Sequence, residues 1–219
     1  MIASLLPDSV ATSECRDDPA EAFLLPGEEV AVARAVTRRR REYTTVRHCA
    51  RQAMAALDLP AAPILPGPRR GPVWPEGVVG SMTHCAGYRA AAVARATDVV
   101  SLGIDAEEHA PLPETVDTLV SLPEERDRLR ALAVSHPRVE WHRVLFSAKE
   151  SVYKTWFPLT GRWLGFEDAR LRFDPHAGTF TAELLVPGPV VDGVPVPAFA
   201  GRWLVRDGLV LTAIVLRRD

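Results

Sequence analysis

Two segments with helical spacing of apolar residues, each followed by short apolar runs of strand length, constrain the fold of this 219-residue chain most strongly. Apolar residues recur every three or four positions from Val46 to Leu57, within a predicted helix over residues 37–57. They recur again from Trp141 to Trp156, where Pro158 is expected to end the helix. A one-sided helix buries its apolar face against another element, and the strand-length runs supply one. The pattern indicates an α+β fold.

Short apolar runs predict two β-hairpins. The runs Tyr88–Ala94 and Val99–Ile104 are separated by a turn at 96–98, and the segment Arg202–Val215 folds back around an Asp-Gly turn. Helical material therefore precedes a hairpin twice. This weak repeat suggests a duplicated α+β unit, with an N-terminal half at residues 1–109 and a C-terminal half at residues 110–219.

Other predictions concern where elements begin. Ser121 and Glu124 have the spacing of a capping box, so a helix is expected to begin there and to reach about Val134. A further helical stretch is predicted after the Pro-Gly pair at 26–27, because two glutamates follow it. Residues 1–26 are expected to wrap the surface.

Composition excludes several classes of protein. Hydrophobic residues make up 47% of the chain and charged residues 25%, which is ordinary for a globular protein. No run approaches the roughly 20 apolar residues of a membrane helix, and no basic region opens the chain as in a signal peptide. The three cysteines are too few for a disulfide framework. We expect a cytoplasmic monomer; its net charge of −2 offers no general attraction to nucleic acid.

The lysines are concentrated at one place. Of 26 basic residues only Lys149 and Lys154 are lysines. Glu150 lies four positions before Lys154, so the two share a helix face, and the simplest interpretation is an exposed ion pair of little value. The alternative is a phosphoryl-transfer site, in which the acid serves metal binding or proton transfer and the lysines stabilise phosphate charge.

A second candidate site lies at the end of a predicted strand. Asp105 and Glu107 are two positions apart, so strand periodicity places both carboxylates on one face. Adjacent carboxylates repel each other unless a cation lies between them, and Mg²⁺ is commonly held by one or two carboxylates together with substrate phosphates. The competing interpretation is that both are surface acids.

Two further segments could bind an anion. Small and hydroxyl residues precede His84 in the segment Gly80–His84, although a lone histidine is more often structural. Arg38–Arg41 begins a basic helix that continues to Arg47 and Arg51, and helical phase pairs Arg40 with Arg47. No aromatic residues alternate with these arginines as in single-strand nucleic-acid binding, so a small anionic ligand is expected. The sequence contains no P-loop or Rossmann glycine motif.

The order of these motifs resembles one family. An arginine helix, GSMTHCAGYRAA, GIDAE and FSAKESVYK follow one another as in 4′-phosphopantetheinyl transferases of the Sfp type. The similarity is to the branch of enterobactin-synthesis enzymes and their actinobacterial relatives, and it extends from about Pro26 to Lys154. The resemblance implies a pseudo-twofold pair of similar α+β halves with the active site at their interface.

The resemblance also implies an activity. Such enzymes transfer 4′-phosphopantetheine from coenzyme A to a serine of an apo acyl, peptidyl or aryl carrier protein. By similarity Asp105, Glu107 and Glu150 would hold Mg²⁺, although Glu150 could instead deprotonate the serine. Lys154 would bind phosphate, and Lys149 would assist. The carrier and its pathway, whether polyketide, nonribosomal peptide, siderophore or fatty-acid biosynthesis, stay open.

Coenzyme A contacts carry over in the same way. Thr83 and His84 would bind a phosphate of coenzyme A. Two helix arginines eight positions apart would clasp the 3′-phosphate, which corresponds to Arg39 and Arg47, whereas helical phase favours Arg40 in place of Arg39.

One departure from the pattern lies in the loop after the predicted arginine helix. Relatives often have a lysine where this chain has Pro66. Arg69 or Arg70 would substitute for it in binding coenzyme A.

Two other functions compete with this interpretation. The Asp-Ala-Glu segment is similar to the Asp-x-Asp metal site of nucleotide-sugar transferases, but those need an alternating βαβ series that is not evident here. The chain could also be a non-catalytic protein that binds coenzyme A or a carrier protein. The intact set of Asp105, Glu107, Glu150 and Lys154 argues against that alternative.

Overall fold

The computed structural model describes residues 1–218, which form two compact units of mixed helix and strand. The first contains Met1–Val100 with the chain from Arg217, and the second contains Ser101–Leu216. The α+β class predicted from the sequence is therefore confirmed. The division falls after Val100, however, rather than at the predicted boundary between residues 109 and 110.

The first unit is one helix packed on a small antiparallel sheet. Its sheet has the strand order β1-β5-β4. Short 3₁₀ turns at Ile2–Leu5, Glu29–Val32 and Pro68–Arg70 complete the unit. Its elements are β1 (Val10–Cys15), α1 (Thr37–Ala55), β2 (Leu65–Pro66), β3 (Pro72–Val73), β4 (Val78–Cys85) and β5 (Tyr88–Arg95).

Helix α1 confirms the prediction for residues 37–57 to within two positions. Its apolar face, including Cys49, Ala50 and Met54, is buried against Ala91 and Val93 of β5. Small side chains on β5 let the helix approach the sheet closely, which explains the run of alanines there. The strand β1 within residues 1–26 was not predicted.

The hairpin predicted between residues 88 and 104 is wrong. Both runs are strands, but β5 already pairs on one side with β1 and on the other with β4. The tight turn lies instead between β4 and β5, where Gly87 has a φ of 66°. The second run belongs to β6, which hydrogen-bonds to β12 in a different sheet. The Gly-Ile-Asp strand therefore belongs mainly to the second unit.

The second unit packs three helices against a five-stranded sheet of order β6-β12-β11-β8-β7. The predicted hairpin is confirmed in β11 and β12, which are joined at Asp207 and Gly208 with φ angles of 52° and 74°. Its elements are β6 (Val99–Glu108), α2 (Glu114–Val120), α3 (Pro123–Ser135), α4 (Trp141–Thr160), β7 (Ala169–Asp174), β8 (Thr179–Leu184), β9 (Val190–Val191), β10 (Val194–Pro195), β11 (Ala198–Arg206) and β12 (Leu209–Arg217).

Helix α4 is the longest element, and its apolar face from Trp141 to Trp156 is buried as predicted. Pro158 does not end it, which corrects the sequence prediction. Because proline has no N–H, the helical hydrogen bond to the carbonyl of Lys154 is missing. The helix nevertheless continues for two more residues and ends at Thr160. Gly161 then closes the helix in the left-handed conformation, with a φ of 63°.

The capping box predicted at Ser121 is not formed, because the N-cap of α3 is Leu122, whose side chain cannot accept a hydrogen bond. Oε2 of Glu125 accepts a hydrogen bond from the backbone N–H of Leu122 at 2.8 Å, and Pro123 occupies the first turn of the helix. Ser121 instead donates to the carbonyl of Asp117 at the end of α2, a helix that was not predicted. None of the helices among residues 1–218 combines the length and apolar character needed to cross a bilayer.

Candidate active site

Strand β6 and helix α4 lie side by side in matched steps. Two residues along a strand cover about 6.6 Å and four residues along a helix about 6 Å, so alternate strand residues meet successive turns of the helix. The matched positions on β6 and α4 are Ser101 with Thr155, Gly103 with Ser151, Asp105 with Ser147, and Glu107 with Arg143. This register brings the two predicted motifs together.

Gly103 permits this close packing. A Cβ atom at this position would lie 2.2 Å from the carbonyl oxygen of Ser151. That distance is far below van der Waals contact, so any larger residue would push α4 away from β6. The glycine of the Gly-Ile-Asp segment therefore sets the distance at which the helix residues reach the two strand carboxylates.

Asp105 is buried, with 4% of its surface exposed, and is therefore not the surface acid of the competing interpretation. Its Oδ1 accepts a hydrogen bond from Nζ of Lys154 at 2.7 Å. Its Oδ2 accepts one from Oγ of Ser147 at 2.8 Å. Lys154 also donates to the carbonyl of Ile104 at 3.1 Å. The ammonium of Lys154 thus donates to Asp105 on β6, whereas its spacing from Glu150 suggests an ion pair within the helix.

The two glutamates of the site are both electrostatically coupled to Asp105. The pKa of Glu107 is raised to about 7, chiefly by burial and next by the negative charge of Asp105, and Arg143, which donates to Glu107 at 2.9 Å, opposes the shift. Burial also raises the pKa of Glu150; Lys154 lowers it and Asp105 raises it. Carboxyl groups that repel one another in a half-buried place provide a site for a cation.

A divalent cation is the group that the family resemblance implies, and the donor set fits one. All three acids supply oxygen, which Mg²⁺ prefers, and one or two carboxylates suffice when substrate phosphates complete its shell. Within residues 1–218, however, no three acidic, histidine or cysteine side chains are grouped closely enough to hold an ion by themselves. The predicted three-carboxylate site is therefore not assembled in the protein alone.

Lys149 has a different environment from Lys154. Its side chain is buried, and Nζ donates to Oε2 of Glu125 at 2.8 Å and to the carbonyl of Phe166 at 2.7 Å. Burial lowers its pKa, and Glu125 opposes that shift. Glu125 also accepts hydrogen bonds from the backbone N–H groups of Leu122 and Leu171. The geometry gives Lys149 a structural contact that joins α4 to α3.

A small cavity of about 120 Å³ lies beside Glu150. The ring of Trp163, which is 61% exposed, lies 5.2 Å from that of Tyr153 at this cavity. The apolar lining of the cavity consists of Val152, Tyr153, Trp163, Leu164, Phe166 and Ala169. Sequence reasoning missed this cavity because its far wall comes from residues after the Lys-Glu helix.

The first unit contains a separate cluster at the start of α1. A guanidinium nitrogen of Arg39 contacts Nε2 of His84, and Nδ1 of His84 lies 3.6 Å from Glu42. Arg40 instead donates to the carbonyl of Val32 at 3.2 Å. The structure therefore places Arg39, and not Arg40, beside His84.

Arg47 is buried on the same helix. Its Nε donates to the carbonyl of Ile64 at 2.9 Å and lies 3.7 Å from Glu28, while its guanidinium carbon is 3.2 Å from the ring centroid of Tyr43. Burial lowers its pKa to about 10, and repulsion from Arg39 contributes to the shift. The two arginines are thus within electrostatic range, and an anion near both would relieve their repulsion.

The other predicted coenzyme A residues are placed less closely together. Thr83 is buried on β4, directly before His84. Arg69 and Arg70 are exposed in the turn at Pro68–Arg70, both with positive φ angles. Arg143 and Ser147 were not predicted, although their spacing from Glu150 and Lys154 (143, 147, 150, 154) marks one polar stripe along α4.

Comparison with known proteins gives the same family for both parts of the chain. Residues 27–94 match the 4′-phosphopantetheinyl transferase N-terminal domain, and residues 101–189 match the 4′-phosphopantetheinyl transferase superfamily. The second match begins at Ser101, where the second structural unit begins.

Whole-length relatives agree. The chain is 57% identical to the 4′-phosphopantetheinyl transferase Svp of Streptomyces mobaraensis, over 99% of this chain and 89% of that protein. It is 49% identical to PptT of Mycobacterium tuberculosis, over 99% and 98%. Enterobactin synthase component D of Salmonella typhimurium is 31% identical over 81% and 72%. On this similarity, together with the motifs brought together on β6 and α4, the chain belongs to the 4′-phosphopantetheinyl transferases of the Sfp type.

Proposed function

We propose that this transferase moves 4′-phosphopantetheine from coenzyme A to a serine of an apo carrier protein and releases adenosine 3′,5′-bisphosphate, as a holo-acyl-carrier-protein synthase does. The observation that supports this most directly is the contact of Lys154 with Asp105. It places a cation and a buried carboxylate together, with Glu150 on the same polar stripe of α4. Acyl, peptidyl and aryl carriers are all candidate acceptors.

Coenzyme A supplies the phosphates. The cluster of Arg39 and His84 would bind the 3′-phosphate, because a guanidinium and an imidazole both donate to phosphate oxygens. Arg47 would add positive potential, since its charge already interacts with that of Arg39. Glu42, whose carboxylate accepts a hydrogen bond from Arg38 at 2.9 Å and lies 3.6 Å from Nδ1 of His84, would keep the imidazole oriented.

The diphosphate would be bound in the second unit. Asp105, with Glu107 or Glu150, would hold the Mg²⁺, which neutralises diphosphate charge when bound. Lys154 would donate to a phosphate oxygen while it keeps its contact with Asp105, because an ammonium has three protons. The pantetheine arm would enter the apolar cavity beside Glu150, whose aromatic lining suits an uncharged chain.

Transfer needs one proton to move and one bond to be exchanged. Glu150 would accept the proton of the serine hydroxyl, and burial raises its pKa toward the range of an effective base. The serine oxygen then forms a bond to the β-phosphorus of coenzyme A. The bond from that phosphorus to the bridging oxygen breaks, and the electron pair leaves with the 3′,5′-bisphosphate. Lys154 would stabilise charge on the phosphoryl oxygens.

Single-turnover transfer tests this assignment. Wild type and Glu150→Gln are mixed with coenzyme A, Mg²⁺ and a panel of apo carriers, and the intact mass of the carrier is measured. We expect a gain of phosphopantetheine with wild type and almost none with Glu150→Gln, whose calorimetric affinity for coenzyme A should stay within a few fold. Near-normal transfer by the variant would show that another group accepts the proton. Binding without transfer by the wild type, with every carrier, would favour a non-catalytic protein.

A further inference from the structure

A series of buried, hydrogen-bonded hydroxyl groups leads away from the carboxylate of Asp105. Oγ of Ser147 donates to Asp105 at 2.8 Å and lies 3.0 Å from Oγ1 of Thr212 on β12. Oγ of Ser151, one turn further along α4, lies 2.6 Å from the same threonine oxygen. All three hydroxyl residues are completely buried. None of them was predicted as a functional residue, and α4 and β12 also share apolar contacts in the core of the second unit.

The donors and acceptors of this chain can be assigned. An ionised Asp105 can only accept, so the single proton of Ser147 points to Oδ2. Thr212 then donates towards Ser147, whose backbone carbonyl is 2.9 Å away and whose Oγ is at 3.0 Å. Ser151 must donate to Thr212. The proton of Ser147 is therefore directed to the carboxylate, and the protons of Thr212 and Ser151 are directed toward Ser147 rather than away from it.

We infer that Ser147 and Thr212 are positioning residues that fix the carboxylate plane of Asp105 for its cation. The inference rests on the proposed function. The terminal torsion of an aspartate is broad, so a carboxylate held at one oxygen can still rotate. Here Ser147 holds Oδ2 while Lys154 holds Oδ1, and Thr212 keeps the Ser147 hydroxyl from turning away. The remaining lone pairs of the carboxylate then point in one fixed direction.

A merely structural role predicts a different outcome, and the chain offers a matched control. Ser101 lies on the same face of β6, is completely buried, and donates to the α4 carbonyl of Thr155 at 2.7 Å. It repeats the burial and the strand-to-helix contact without touching Asp105. Ser101→Ala therefore measures what the loss of a buried hydroxyl does to stability alone.

The experiment compares Ser147→Ala, Thr212→Val, their double variant and Ser101→Ala. Mn²⁺ replaces Mg²⁺ so that its binding with coenzyme A is measured by electron paramagnetic resonance, independently of transfer. We expect the Mn²⁺ dissociation constant to rise about tenfold in Ser147→Ala and about threefold in Thr212→Val, because hydrogen bonds to charged groups are the stronger ones. Ser101→Ala should stay within twofold. The double variant should equal Ser147→Ala, since both changes act through one oxygen.

Conservative variants and wild-type activity separate the remaining outcomes. Thr212→Ser retains the hydroxyl and should restore wild-type Mn²⁺ affinity, and Ser147→Cys keeps the volume of the site if the alanine variant does not fold. Equal Mn²⁺ affinity in Ser147→Ala or Ser147→Cys and in Ser101→Ala would overturn the inference, as would additive losses in the double variant. Absence of transfer by wild type would instead overturn the proposed function.

Discussion

Nζ of Lys154 lies 2.7 Å from Oδ1 of Asp105, although 49 positions separate the two residues in the sequence. Asp105 is buried and Lys154 partly exposed, so the lysine is the member of the pair that can also reach a substrate. Its ammonium neutralises a carboxylate before substrate arrives and, with two of its three N–H groups donated to Ile104 and Asp105, retains one donor for a phosphate oxygen. This geometry makes the charge and the shape of the residue at 154 separately testable.

The effect of replacing Lys154 on catalysis should depend on whether the new side chain keeps the positive charge. Lys154→Ala removes the charge and leaves the buried Asp105 without its cation, so we expect single-turnover transfer to fall at least about 100-fold. Lys154→Arg keeps the charge with a different donor geometry and should lose less. Rates are measured with saturating coenzyme A and apo carrier. Equal rates for alanine and arginine variants would show that the lysine charge does not act on the phosphate.

Lys149 should matter for stability more than for chemistry. Lys149→Met leaves the buried Glu125 without its cation, so the free energy of unfolding should fall by about 3 kcal/mol. The double variant Lys149→Met with Glu125→Gln should recover part of that loss, because no uncompensated charge is left. The unfolding free energies of the wild type, the single variant and the double variant are measured by urea denaturation. A loss below about 1 kcal/mol in the single variant would mean that the pair contributes little to the fold.

Glu107 should make stability depend on pH in the metal-free protein. Its pKa is raised to about 7 in the folded state, above the ordinary 4.5, so the folded protein binds the proton more tightly than the unfolded chain. The contribution of protonated Glu107 to the free energy of unfolding is therefore fully present below about pH 4.5 and is lost as pH rises through about 7.

Glu107→Gln stays neutral and serves as the reference. Across this pH range wild type should lose about 1–3 kcal/mol relative to the variant, discounted for the part of the side chain that faces solvent. Unfolding free energies are measured in urea with EDTA present. A constant difference between the two proteins from pH 4.5 to 7.5 would contradict the raised pKa.

Arg39 should distinguish coenzyme A from dephospho-coenzyme A. Its contact with His84 places it in the proposed 3′-phosphate cluster, so Arg39→Ala should weaken coenzyme A binding about tenfold and leave dephospho-coenzyme A binding nearly unchanged. Arg40→Ala is the control, because Arg40 donates to the carbonyl of Val32. Calorimetry with both ligands measures the effect. If Arg40→Ala alone removes the discrimination, Arg40 rather than Arg39 binds the 3′-phosphate, contrary to the proposal.

The helices and most strands could be predicted because their signals are local. The spacing from Trp141 to Trp156 requires one buried face whatever packs against it, and the Asp-Gly turn fixes the final hairpin. The partner of β6 could not be predicted from the same signals. A turn at 96–98 looks like a hairpin, but both edges of β5 were already occupied by β1 and β4, and neighbours in the chain do not reveal this.

Residues of the candidate site could be proposed from the sequence, but their contacts could not. Asp105, Glu150 and Lys154 were identified from residue type and spacing. That Lys154 would contact Asp105 rather than Glu150, and that Lys149 would turn to Glu125, depends on which side of α4 meets which element. Arg143 could have been found from its place on the polar stripe of α4. Thr212 could not, because it lies on a strand whose apolar pattern gives no sign of a hydroxyl partner.

The matched steps of β6 and α4 restrict how this chain can change length. One extra residue between Gly103 and Glu107 would turn the following carboxylate to the opposite face of the sheet, and one extra residue between Arg143 and Thr155 would rotate the later contacts by about 100°. Substitution can alter these two segments, but insertion and deletion cannot do so without separating the pairs. The connection between them, where α2 and α3 lie, can instead change in length without separating the matched pairs, so the two segments stay in register while the chain between them varies.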